Sequence, residues 1–192
     1  LLNDNPVLKI SKPKPTKART RRPSAQEIEE LCKAMLLTED TTKPELVTQR
    51  VALALLFAIE TAMRAGEICG LTWGDMHLTK RIAHLPITKN GSSRDVPLSK
   101  RAIEIIEKLK GIDEKSVFNV DAKTLDVLFR RARDKCEIED LHFHDTRREA
   151  LTRMSKKVPV EMLAKISGHK DLRILLNVYY RPEMSDIASL LD

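Results

Sequence analysis

The sequence predicts a mainly α fold carrying one small antiparallel β-sheet, an α+β domain. Apolar residues recur at helical spacing through most of the chain, and two short alternating runs flank an Asn-Gly. Aromatics are only 4% of residues and charges 32%, which favours packed amphipathic helices over a sandwich or barrel. At 192 residues the chain accommodates one globular domain, residues 23–192, and a short appendage, residues 1–22.

The appendage "LLNDNPVLKISKPKPTKARTRR" has three prolines between positions 6 and 15, dense cations and no apolar periodicity, so it reads as an extended linker. A chain that opens on Leu1 reads as part of a longer protein from which an upstream domain is missing. Ser24 and Glu27 match a capping box, with Ile28, Leu31, Cys32 and Met35 on the buried face of the helix that follows. Pro44 fits the first turn of a second helix, whose stripe of Val47, Val51, Leu55 and Ile59, with Ala54 and Ala58, gives it a central place. "RIAHLPIT" and "RDVPLS", joined by "KNGSS", form a β-hairpin. Ser99 caps a third helix through Ile103, Ile106 and Leu109, and residues 122–135 form another through Leu125, Leu128, Phe129 and Ala132. The last third predicts helices near 144–156, 159–167, 171–179 and 184–191.

The formal charge is +6, and its distribution matters more than its total. Residues 1–22 hold seven Lys/Arg against Asp4, whereas the remaining 170 residues balance at 27 against 27. Residues 141–181 are locally basic, with nine Lys/Arg against four acids, so nucleic acid is the leading partner on electrostatic grounds. A solvated linker and a solvated helix face are the alternatives. No apolar run is long enough to cross a bilayer, and no signal-peptide core is present at the N-terminus. Cys32, Cys69 and Cys136 are odd in number and lack a C-x-x-C pair, as expected of reduced thiols in an intracellular protein.

Several side chains could do chemistry. Arg64 follows an apolar helix and precedes Glu67, either as a surface ion pair or as an anion ligand. Lys89 sits at the hairpin tip, where an exposed lysine is ordinary. His144 and Arg147 share a helix face at i and i+3, and His169 follows Gly168 before the helix that reaches Tyr179 and Tyr180. Two guanidiniums can grip a phosphate, imidazoles can move protons near neutrality, and a tyrosine oxygen can attack phosphorus. No P-loop, zinc spacing or acidic cluster suited to paired Mg²⁺ is present, so the expected chemistry is phosphoryl transfer without a metal or other cofactor.

These pieces, in this order, resemble the catalytic domain of the tyrosine recombinases, the phage-type integrases. "TAMRAGEICGLTWGDM" resembles the family's first-arginine box, and "ITKNGSSRDVPLS" its lysine-bearing hairpin. "FHDTRREALTRM" resembles its His-x-x-Arg box, and "ISGHKDLRILLNVYYRP" its final box. The resemblance covers residues 23–182 and implies catalytic roles for Arg64, Lys89, His144, Arg147, His169 and a tyrosine. In many members that tyrosine lies nine residues after the second histidine, but Val178 occupies the place here. Tyr179 is preferred because "YYRP" then matches the usual ending, with Tyr180 as the alternative.

By the same resemblance, Arg64, Arg147 and His169 would hold the scissile phosphate. His144 would take the tyrosine proton, Lys89 would protonate the leaving 5′-oxygen, and Glu67 would anchor the loop of Arg64. Lys12, Lys14, Lys17, Arg19, Arg21 and Arg22 would lie against the DNA backbone. The implied partners are double-stranded DNA and three further copies in a tetramer, with accessory DNA-bending proteins admitted. A cytoplasmic location and a prokaryotic, phage or mobile-element origin come with the family. Helix 184–191 would pack on its own domain or on a neighbouring protomer. Two rivals stand beside this: a type IB topoisomerase with the same chemistry, and a relative that binds DNA but has lost catalysis.

Overall fold

The computed structural model describes residues 19–86 and 93–180. Ser24 Oγ accepts from Glu27 N at 3.1 Å while Glu27 accepts from Ser24 N at 2.7 Å, closing the expected capping box at the start of α1 (Ala25–Ala34). α2 (Val47–Thr61) is the central helix, contacting α1 and the later helices α4, α5 and α6. Val51, Leu55, Ile59, Ala54 and Ala58 are buried as expected, but so are Ala52, Leu53 and Phe57, because neighbours cover α2 on nearly every side. Val47 is instead exposed at the helix start, and Pro44 precedes the helix rather than occupying its first turn.

Ala62 ends α2 in the left-handed region at φ 56°, reversing the chain into a short α3 (Ala65–Cys69). The sheet then has three antiparallel strands in the order β1 (Met76–His77), β2 (Ile82–Leu85), β3 (Arg94–Pro97). The hairpin β2–β3 was expected; β1 was not, because a two-residue strand exists only through its pairing with β2. Opposite Ala83 stands Val96 and opposite Leu85 stands Arg94, so Arg94 shares the inward face of β3 with buried Val96.

Ser99 and Asp121 cap α4 (Lys100–Leu109) and α5 (Ala122–Lys135) through side-chain oxygens. On α4, Ile105, Ile106 and Leu109 are buried and Ile103 only partly so. The chain closes with α6 (Asp145–Ser155), α7 (Val160–Ser167) and α8 (Leu172–Tyr179). The expected helix 184–191 lies outside the described residues.

Among the described residues two apolar clusters result. The larger unites α1 to α5 and the sheet; the smaller joins Ala62, Ala150, Leu151, Leu163, Ala164 and Leu175 across α2, α6, α7 and α8. Buried polar residues Arg147, Asp145, Thr146 and Ser167 belong to neither cluster and lie on α6 and α7. No described helix is long and apolar enough to cross a membrane.

Candidate active site

The turn at Ala62 leaves Arg64 as the N-cap of α3, its backbone extended at φ −79° and ψ 154°. One turn on, Glu67 accepts from Arg64 N at 2.8 Å and from Arg64 Nη1 at 2.8 Å. The same carboxylate receives both arms of Arg94, Nη1 to Oε1 at 2.9 Å and Nη2 to Oε2 at 2.7 Å. Burial alone would push the Glu67 carboxyl up, but the Arg94 hydrogen bonds and the Arg64 N–H outweigh it and hold the group down at about 2. Arg94 Nε also donates to Ile166 O at 3.0 Å, joining β3 to the end of α7.

Arg147 comes from the first turn of α6 and is only 4% exposed. Its Nη1 donates to the Ala62 carbonyl and its Nη2 to Ser167 O at 2.6 Å. Both acceptors are neutral carbonyls, so among the described residues no carboxylate hydrogen-bonds this buried cation. Burial, then the nearby Arg64 charge, lowers its pKa to about 10, which leaves it protonated at neutral pH. Such a cation favours an incoming anion.

α7 ends at Gly168, whose φ of 72° suits glycine and whose missing Cβ leaves room for Arg94 Nη1, 3.3 Å from where that carbon would stand. The reversal presents His169, whose Nδ1 lies 2.7 Å from Ser167 Oγ. Burial, then the charges of Arg147, Arg64 and Arg94, lowers its pKa to about 4. His169 is therefore neutral at pH 7. His144 is exposed at the N-cap of α6 and borders a cleft of about 260 Å³ with Arg64, His142 and Arg147. A larger groove of about 720 Å³ between α1, α2 and α4 contains none of the expected site residues, so chemistry outranks size in placing the site.

Two tyrosines end the described chain, and their environments differ. Tyr179 is half-buried against the smaller cluster, with the Arg148 guanidinium 5.6 Å from its ring centroid. Burial raises its pKa, while Arg148 and then Arg147 pull it down, so Tyr179 lies in the field of the buried arginine. Tyr180 donates its hydroxyl to the Val158 carbonyl, and its charged influence is Glu161. Thus Arg64, Glu67, His144, Arg147, His169 and Tyr179 come together from α3, α6, the turn after α7, and α8. Lys89 lies outside the described residues, on the connection between β2 and β3.

The expected DNA ligands of the linker divide. Lys12, Lys14 and Lys17 lie outside the described residues. Arg19 instead spans two acids of its own domain: Nε and Nη2 meet Asp145 at 2.7 and 2.8 Å, and Nη1 meets Asp140 at 2.8 Å. Arg21 pairs with Glu27 and Arg22 with Glu149. Arg94, Asp145 and Ser167 are site-supporting residues that the motifs did not single out. A cation on the inward register of a strand was the available signal for Arg94; the other two had none.

Comparison with known proteins agrees with the geometry. The sequence model of the Phage integrase family matches residues 24–186. The chain belongs to the phage integrase family. Its relatives include a "Putative integrase/recombinase" of Haemophilus influenzae, 49% identical over the whole chain and 62% of that protein. A "Shufflon-specific DNA recombinase" of Escherichia coli is 38% identical over 89% of the chain and 43% of that protein. The chain thus spans roughly half the length of such phage integrase family relatives. Lambda integrase, solved as a tetramer bound to a Holliday junction, shares the fold with a TM-score of 0.66 at 21% identity, over 88% of this chain and 52% of that one.

Proposed function

We propose that the chain is the catalytic part of a site-specific DNA recombinase that cuts and rejoins strands through a 3′-phosphotyrosyl intermediate. The observation that carries this is the environment of Arg147: a buried cation hydrogen-bonded to carbonyls, sharing its field with Arg64, His169 and Tyr179.

A phosphodiester seated there meets the guanidiniums of Arg64 and Arg147 at its nonbridging oxygens, with the His169 imidazole beside them. Tyr179 Oη attacks phosphorus, His144 takes its proton, and the P–O5′ bond breaks as Lys89 protonates the departing 5′-oxygen. One ester bond replaces another, so no nucleotide hydrolysis drives the step. Charge accumulating on the pentacoordinate phosphorus is met by donors already in place, an arrangement in which losing one donor typically costs ~100 to 1000-fold in rate. Attack by a 5′-hydroxyl of a partner strand reverses the chemistry. Tyr179 is favoured over Tyr180 because Tyr180's hydroxyl is committed to Val158 and it lies by Glu161 rather than Arg147.

Recombination joins two duplexes, so four copies assemble on DNA, as lambda integrase does on its Holliday junction. The proposed site of action is the cytoplasm. The test uses nicked duplexes with a randomised core, from which the short fragment bearing the freed 5′-hydroxyl diffuses away, so that religation fails and the adduct is trapped. The wild-type chain forms a denaturation-resistant protein–DNA species and Tyr179→Phe forms none. Equal adduct in both proteins overturns the nucleophile assignment, and none in wild type under conditions of measurable DNA binding overturns catalysis.

A further inference from the structure

Ser167 is fully buried at the last position of α7, and its two polar groups serve two site residues at once. The backbone oxygen accepts from Arg147, while the hydroxyl meets His169 Nδ1 at 2.7 Å and Leu163 O at 2.6 Å. A hydroxyl has one proton to give. Leu163 O is a carbonyl and can only accept, and at that separation an O···O contact without a proton is repulsive. The hydroxyl proton therefore points back along the helix to Leu163, a common habit of serine at this spacing. Oγ is left as an acceptor toward His169, so Nδ1 must supply the hydrogen.

Resting on the recombinase reading above, we infer that Ser167 is a positioning residue that keeps the neutral His169 protonated on Nδ1, so that Nε2 donates to the scissile phosphate only after taking up a proton. A neutral imidazole carries one N–H, and Ser167 claims it. The bare Nε2 lone pair would repel a nonbridging phosphate oxygen. A proton from solvent turns that contact into a charge-assisted hydrogen bond, while Nδ1–H stays on Ser167. The proton remains on Nε2 through the exchange of the P–O5′ bond for the P–O bond to tyrosine.

The groups around His169 make the uptake conditional on DNA. Arg147 faces it from α6, Arg64 from the start of α3 and Arg94 from β3, with Glu67 of α3 already committed to Arg64 and Arg94. Lys170 adjoins it on its own turn. Burial and then these cations keep His169 neutral in the DNA-free chain. A bound phosphodiester contributes a negative charge among them and shifts the balance toward imidazolium. The substrate thus charges its own ligand.

Two measurements test this. Long-range ¹H–¹⁵N spectra of the labelled DNA-free chain report the tautomer, with His169 assigned by its absence in His169→Asn. The expected result is Nδ1–H in wild type and a shift toward Nε2–H in Ser167→Ala; Nε2–H in wild type overturns the inference. Adduct formation is then followed against pH for wild type and Ser167→Ala. In the variant the neutral Nε2–H form is available without proton uptake, whereas the tyrosine titration is common to both proteins. The wild-type to variant ratio therefore falls about tenfold per pH unit above the His169 titration in the complex, over roughly pH 6 to 9. A ratio that does not change with pH overturns the inference and leaves Ser167 a packing residue. Absence of adduct from wild type at every pH sinks the recombinase reading instead, and the spectra still decide the tautomer.

Discussion

Replacing Glu67 by glutamine removes the one negative charge that Arg64 and Arg94 share, while preserving shape. The carboxylate is 8% exposed and accepts four hydrogen bonds, one from a backbone N–H and three from the two guanidiniums. Its pKa falls from 4.5 to about 2, and at 1.36 kcal/mol per unit that corresponds to roughly 3 kcal/mol of folding stability near neutrality. Breaking a buried ion pair from one side independently suggests ~3 to 5 kcal/mol, because the guanidiniums are left facing an amide. The sign follows from the depressed pKa: the contribution is complete above about 4.5 and disappears as pH falls toward about 2. Urea unfolding of wild type and Glu67→Gln should differ by about 3 kcal/mol at neutral pH, lowering the midpoint by about 1 to 2 M. That gap stays constant down to about pH 5 and narrows below it, as Glu67 of the unfolded chain begins to protonate while the folded carboxylate stays ionised to about 2. A gap under about 1 kcal/mol at neutral pH, or one unaffected by acid, refutes the view that Glu67 is the buried anchor of both arginines.

Arg147→Lys keeps the charge but loses the fork that reaches Ala62 O and Ser167 O together; adduct formation on the nicked substrate should fall by ~100 to 1000-fold with the fold intact by circular dichroism. Tyr180→Phe should leave adduct formation near wild type and cost about 1 kcal/mol in thermal unfolding, since only the hydrogen bond to Val158 is lost. His169 is held neutral in the fold, with a pKa of about 4 against 6.5 unfolded, so acid favours the unfolded chain as pH drops from about 6.5 to about 4. His169→Gln should remove up to ~3 kcal/mol of that acid sensitivity, read as flatter unfolding free energies across this window.

Local chemistry explains what could be read without coordinates. Ser24 with Glu27, Ser99, and the apolar run of α2 act within a few residues of themselves, so their spacing suffices to place α1, α4 and the central helix. β1 arises only from its pairing with β2, which sequence spacing does not encode, whereas Arg94 stands two residues before Val96 and shares its inward face by alternation. The linker arginines show the same limit. Density of positive charge pointed to DNA, yet Arg19 finds Asp145 at a separation of 126 residues, a pairing that exists only after folding. For the candidate site, motif order singled out Arg64, His144, Arg147 and His169, whose motifs stand far apart in the sequence. What distinguishes Tyr179 from Tyr180 is a carbonyl at Val158 and the field of Arg147, both supplied by packing between α6, α7 and α8.

The most direct test of the account is the identity of the residue that carries DNA. Trapped adduct, digested with nuclease and protease and sequenced by tandem mass spectrometry, should place the nucleotide 3′-phosphate on Tyr179. A nucleotide on Tyr180, or on any side chain outside the field of Arg147, would contradict it.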